Sequence, residues 1–233
     1  MSLHASHLTP RGYFITGTDT GVGKSLVACA LLHAYAARGL RVVGMKPVAA
    51  GAHQANGVWV NEDVEQLIAA SNVAAPRELI NPYCFEQPIA PHIAAEIVKK
   101  HIKNKYLSES YKGLSALADV VVVEGAGGFL VPLNEGETSA DFARGIGLPV
   151  VLVVGMRLGC LNHALLTAEA IRARGLTLAG WVVNHIDATM AYADENVAAL
   201  RARLQAPLMA RIPFAATPDA RTLAPRLDLA AMD

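Results

Sequence analysis

The stretch Gly17-Thr18-Asp19-Thr20-Gly21-Val22-Gly23-Lys24-Ser25 decides the fold. An apolar run, residues 12–16, precedes it and a helical pattern, residues 24–38, follows it. A small polar turn between a buried strand and a helix start presents free backbone N–H groups at the positive end of the helix dipole, the environment a phosphate needs. Gly-Lys-Ser adds an ammonium that reaches the β- and γ-phosphates and a hydroxyl that binds Mg²⁺. The spacing is stretched: five residues separate Gly17 from Gly23, where a phosphate loop usually has four, and Thr18 stands at a position expected to be glycine. In its strand–turn–helix setting the segment reads as a nucleotide-binding loop.

Working outward, short β-branched runs alternate with amphipathic stretches. Strands are expected at residues 12–16, 41–46, 120–124, 150–154, 178–183 and 208–212. Most are continuously apolar, as in parallel strands covered on both faces. Helices are expected at 24–38, 63–70, 91–101, 108–118 and 139–144, and where Leu161, Leu165, Ala168 and Ile171, then Val197, Leu200 and Leu204, recur at helical spacing. The predicted fold is α/β: a single domain over residues 1–233 with a doubly wound, mostly parallel sheet, helices on both faces, and a flexible tail at 1–10.

Composition agrees. With 53% hydrophobic and 17% charged residues the chain can build a sizeable core. Equal numbers of acidic and basic residues, 20 each, argue against a nucleic-acid partner. No apolar run approaches the ~20 residues of a membrane span, and the first ten residues lack the pattern of a secretory signal. The three cysteines suit neither a disulfide framework nor a zinc site, so a cytoplasmic, reducing compartment is expected. Lys99, Lys100, Lys103 and Lys105 read as a solvated face.

Ligands of such sheets lie beyond the carboxyl ends of the strands. Lys46 ends the second strand and Pro47 stiffens its exit; the lysine reads either as a group facing the cleft or as a surface side chain. Asp63, in Asn61-Glu62-Asp63, reads either as a helix cap or as a Mg²⁺ ligand. Four valines deliver Glu124 to Gly125-Ala126-Gly127-Gly128, where a carboxylate can hold a metal and glycines let backbone approach phosphate. Gly159, Cys160, Leu161 and Asn162 open a helix whose N–H groups suit an anion; that setting can lower a thiol pKa, although no base is paired with Cys160 in the sequence. Asn184 reads either as a turn residue or as an adenine contact through its amide, with Pro213, Phe214 and Ala215 walling the base. His92 and His163 read as capping or packing residues.

Together, GTDTGVGKS, KPVAAG, VEGAGG, GMRLGCLNH and GWVVN resemble the ATP-dependent dethiobiotin synthetase family, from Tyr13 to about Phe214. The resemblance implies that CO₂ is joined to the two amines of 7,8-diaminopelargonate to form a ureido ring in biotin synthesis, with ATP as co-substrate and Mg²⁺ as cofactor. It implies a carbamate, its phosphorylation to a carbamic–phosphoric anhydride, and ring closure with loss of phosphate. Lys24 and Lys46 would be catalytic; Ser25, Asp63 and Glu124 would hold the metal. ATP would meet Thr20, Gly21, Val22, Gly23, Lys24, Ser25 and Leu26, with Asp63, Glu124, Gly125, Ala126 and Gly127, and the base Asn184, Pro213, Phe214 and Ala215. The diamine would meet Thr20, Lys46, Ala50 and, from the second subunit of a homodimer, Gly159, Cys160, Leu161 and Asn162. Ala50 replaces a hydroxyl residue of many relatives, so a contact there would run through its backbone N–H, and Gly21 replaces an acidic residue of some. Two rivals share the scaffold. A cobyrinate-type ligase usually carries a further glutamine-hydrolysing domain, for which this length leaves no room; a partition-type ATPase predicts a signature lysine in the loop and a basic or amphipathic surface, which the sequence lacks.

Overall fold

Buried valine runs become strands here because each valine withdrawn from water contributes roughly 1.5 kcal/mol or more, and a parallel sheet covered on both faces buries every one of them. In the computed structural model, which describes residues 11–230, six parallel strands form the main sheet: β1 (Arg11–Gly17), β2 (Val42–Met45), β7 (Val120–Glu124), β8 (Val150–Met156), β9 (Leu178–His185) and β10 (Leu208–Ile212), in the order β10-β9-β8-β1-β7-β2. All five residues of β7 and all seven of β8 are buried. The expected tail at 1–10 lies outside the described residues.

Alternation along β1 assigns the two faces. Phe14 joins one core with β7 and β8 side chains and with the helices α5 (Asn104–Leu117), α6 (Ser139–Ile146), α7 (Cys160–Ala173) and α8 (Ala193–Leu204). Tyr13 and Ile15 join the other, under α1 (Lys24–Ala37) and the short α9 (Ala220–Leu223). This is the expected doubly wound α/β sheet. Among the described residues no helix is long and apolar enough to cross a membrane.

Four short strands, in two pairs, were not expected. β3 (Val48–Ala50) pairs in parallel with β6 (Tyr83–Phe85), and β4 (His53–Ala55) pairs antiparallel with β5 (Val58–Val60). The β4–β5 hairpin turns at Asn56-Gly57: both have positive φ, 52° and 77°, as a tight hairpin turn needs. The hairpin leads into α2 (Glu62–Ala70), and α3 (Arg77–Ile80) precedes β6.

The helix expected over 91–101 ends early, as α4 (Pro91–Ile97). Lys99 is left-handed, φ 54°, and the N–H groups of Lys99 and Lys100 donate back to the carbonyls of Glu96 and Ala95, so a helix-terminating motif closes there. Helix α5 consequently starts at Asn104 rather than 108. All four lysines of this segment are exposed.

Candidate active site

The carboxyl ends of β1, β2 and β7 meet at a cleft of about 840 Å³. Thr20, Gly21, Gly23, Lys24 and Ser25 line it from the phosphate loop, with Lys46, Ala50, Asp63, Glu124, Ala126 and Gly127 from other elements. Gly23 has φ 92°, and a Cβ there would lie 2.3 Å from the Asn184 amide nitrogen, so conformation and space both require glycine. Val22 is buried beneath the loop and Leu26 packs on the core, while Thr20 and Gly21 are exposed to an incoming ligand. Gly125, buried against Phe14, carries the backbone away from β7.

Glu124 is fully buried at the end of β7. Lys46, 4% exposed, reaches it from the end of β2, its ammonium 2.5 Å from Glu124 Oε1 and 2.6 Å from Asp63 Oδ2. The backbone aims this lysine: its N–H donates to the Ile80 carbonyl at 2.8 Å, and its carbonyl accepts from Asn81 Nδ2 at 2.7 Å. The surface-lysine reading is therefore excluded. So is the capping reading of Asp63, because Asn61 is the cap, accepting from Val64 N–H, and Asp63 instead reaches across to Ser25 and Lys46. Asn61 also donates to the Ala50 carbonyl at 3.1 Å, tying α2 to the strand that follows Lys46.

The Ser25 hydroxyl lies 2.7 Å from Asp63 Oδ1 and 2.9 Å from Glu124 Oε1, one proton between two carboxylate acceptors. Glu124 Oε2 is buried without a hydrogen-bond partner. The ammonium of Lys24 donates to the Asp19 carbonyl at 2.9 Å. Burial, followed by the repulsion of Lys46, lowers Lys24 to about 8 against the pull of Glu124, Asp63 and Asp19. Burial would also depress Lys46, but Glu124 and Asp63 outweigh it and hold this ammonium above the ordinary lysine value. Burial would raise the Asp63 carboxyl; Lys46, Ser25 and Lys24 keep it below the usual carboxylate range.

The other predicted residues lie apart from this cluster. Asn184 is buried, and its Nδ2 donates to the Val22 carbonyl at 2.9 Å. One amide N–H thus braces the phosphate loop, which leaves Oδ1 and the second N–H of Asn184 for a ligand. Pro213, Phe214 and Ala215 are exposed, and Pro213 and Phe214 line a second hollow of about 430 Å³ with His185, Asp187 and Arg211. Gly159, Cys160, Leu161 and Asn162 open α7 and are not among the residues lining the main cleft. Cys160 is buried, and burial pushes its thiol up despite the helix start, contrary to the lowered value its position suggests. The sequence reading missed Asn81, whose signal is a lone polar residue in an apolar run, and the apolar walls Pro88, Ile89, Leu130 and Val131.

The family described as "AAA domain" matches residues 11–221. The chain is 57% identical over 220 residues to a protein of Nitrosospira multiformis named ATP-dependent dethiobiotin synthetase BioD, covering 94% of this chain and 96% of that one. It is 54% identical to the protein of the same name from Aromatoleum aromaticum, covering 94% and 98%. Among solved structures, a ParA family ATPase from Chlorobium tepidum aligns with a TM-score of 0.55 at 14% identity, covering 97% of each chain. MinD of Aquifex aeolicus aligns at 0.52 and 14%, covering 93% of this chain and 85% of that one. These two likenesses are of fold alone.

Proposed function

The chain belongs to the ATP-dependent dethiobiotin synthetase family, an ATP-using ligase of biotin biosynthesis that forms a ureido ring, and on that premise we propose how its cleft divides the work. The observation that carries the reading is the meeting of Lys24, Ser25, Lys46, Asp63 and Glu124 in one cleft, drawn from four separate segments.

Joining a carbamate to the γ-phosphoryl group of ATP brings anions together, so positioning and charge neutralisation dominate the barrier. Lys46, held charged by two carboxylates, faces the reacting carbamate and phosphoryl oxygens. Lys24 leaves the Asp19 carbonyl for the β- and γ-phosphates. The backbone N–H groups of residues 20–26 cradle the phosphates, and Thr20 and Ala50 border the diamine. Once the mixed anhydride exists, the second amine attacks its carbonyl carbon and phosphate leaves.

Ser25, Asp63 and Glu124 fit a Mg²⁺ ion: hard oxygen donors, one hydroxyl proton for two carboxylates, and an unpartnered buried Glu124 Oε2. A bound Mg²⁺ would supply charge neutralisation to the triphosphate. Asn184, through Oδ1 and its second amide N–H, borders the base with Pro213, Phe214 and Ala215.

The working unit is a symmetric homodimer in this reading, in which Gly159, Cys160, Leu161 and Asn162 offer backbone N–H groups to the substrate carboxylate of the neighbouring site. Leu158, 97% exposed immediately before this turn, supports it. Leu161→Glu should raise the KM for the diamine with ATP affinity unchanged, and a fully active monomer in sedimentation would remove the shared site. We place the reaction in the cytoplasm, where the three free cysteines stay reduced. Mass spectrometry after incubation with diamine, bicarbonate and Mg-ATP should show dethiobiotin, with ADP and phosphate formed only when both co-substrates are present. ATP turnover independent of the diamine would favour a switch-type ATPase instead.

A further inference from the structure

A carboxylate is built into the loop that must receive a triphosphate. Asp19 is the single acidic residue between Gly17 and Ser25, and left uncompensated its charge would oppose the incoming phosphates. Three contacts define its surroundings. Oδ1 accepts from the N–H of Thr20 at 2.7 Å, the Asp19 carbonyl accepts from Lys24 Nζ at 2.9 Å, and Oδ2 is ion-paired with the guanidinium of Arg157. Arg157 lies just past the end of β8, in the turn whose geometry is closed by the Cys160 N–H donating to the Arg157 carbonyl at 3.0 Å. The same two segments are stitched a second time: Thr18 N–H donates to the Val153 carbonyl at 3.0 Å, and Gly155 N–H reaches Thr18 Oγ1 at 3.4 Å.

We propose that Arg157 is a positioning residue for the nucleotide: it cancels the Asp19 charge and holds the phosphate loop against the β8–α7 turn, in a conformation ready for the triphosphate. The inference rests on the reading that residues 17–25 bind ATP. Arg157 acts through Asp19 rather than by touching the phosphates. Because each partner is somewhat under half exposed, 44% and 45%, water screens the pair and its effect is moderate.

The test is binding of a non-hydrolysable ATP analogue with Mg²⁺, followed by calorimetry. Arg157→Gln should weaken binding about fivefold, the upper end for an exposed pair. Arg157→Lys, which keeps the charge, should lose less than about half of the affinity. At saturating ATP the kcat of both variants should stay within about twofold of wild type, because ground-state and transition-state binding are affected alike. The deciding measurement repeats Arg157→Gln in the Asp19→Asn background, where the amide still accepts from Thr20 but carries no charge; there the substitution should change affinity less than about twofold. An equal loss in both backgrounds would overturn the proposal, because Arg157 would then act on the ligand or the fold directly. No loss in either background, or a lysine variant as weak as the glutamine one, would overturn it too. Failure of the wild-type protein to bind the analogue would instead remove the nucleotide reading itself.

Discussion

The two ends of the proposed nucleotide site are built differently. At the phosphate end, Lys24, Lys46 and Glu124 are buried, and Lys46 and Glu124 interlock with Ser25 and Asp63 through contacts of 2.5 to 2.9 Å. At the base end, Asn184 alone is buried, and Pro213, Phe214 and Ala215 stand in solvent. Preorganised charge in a desolvated setting stabilises a transition state, whereas an exposed wall contributes contact area. Reaction rate should therefore depend on the first region and nucleotide affinity partly on the second, with Asn184 joining the two through the Val22 carbonyl.

The sharpest way to break that contrast is Lys46→Ala. Loss of one preorganised charge-stabilising donor should cut kcat roughly 10²–10³-fold while ATP binding stays nearly intact; near-normal turnover would show that the phosphate end is not rate-determining. Glu124→Gln and Asp63→Asn should each move the Mg²⁺ midpoint of activity upward by about ten- to a hundredfold. A wild-type midpoint for Asp63→Asn would leave that carboxylate as a partner of Lys46 and Ser25 alone.

ATP affinity should also depend on pH. The Lys24 ammonium prevails below about 8 in the free protein. Bound phosphates favour the charged form, so its pKa rises on binding and the complex takes up a proton above pH 8. Affinity should therefore fall with rising pH over that window, by at most about tenfold per unit. Lys24→Ala should weaken binding and turnover together and flatten the profile; an unchanged profile would place the titration elsewhere. At the joint between the regions, Asn184→Ala removes a buried hydrogen bond and should cost about five- to tenfold in ATP affinity. Phe214→Ala, at a side chain 52% exposed, should cost less than about threefold. A larger loss for Phe214 than for Asn184 would reverse the picture of the base end.

The limits of sequence reading follow the same division. The strands β7 and β10 match their expected bounds, and the phosphate loop is recognised from contiguous residues, because hydrophobic period and loop chemistry are local. Lys46, Asp63 and Asn184 each left two readings open, since a residue at a strand end or helix start looks alike whether it faces solvent or a cleft. The ends of α4 and α5 were misplaced because a left-handed Lys99 is a backbone choice that lysine does not announce.

By itself the sequence determined the alternation of buried strands and helices and the nucleotide loop, which are written in runs and spacings along the chain, and its motifs carried the resemblance to the family. Tertiary structure alone decided that Lys46 bridges Asp63 and Glu124, residues 17 and 78 positions away, and that Arg157 meets Asp19 across 138 positions. Such pairings depend on the strand order, which sets β1 between β7 and β8. Charges far apart in the chain interact only once a packed sheet has brought them within a few ångströms and removed the water between them.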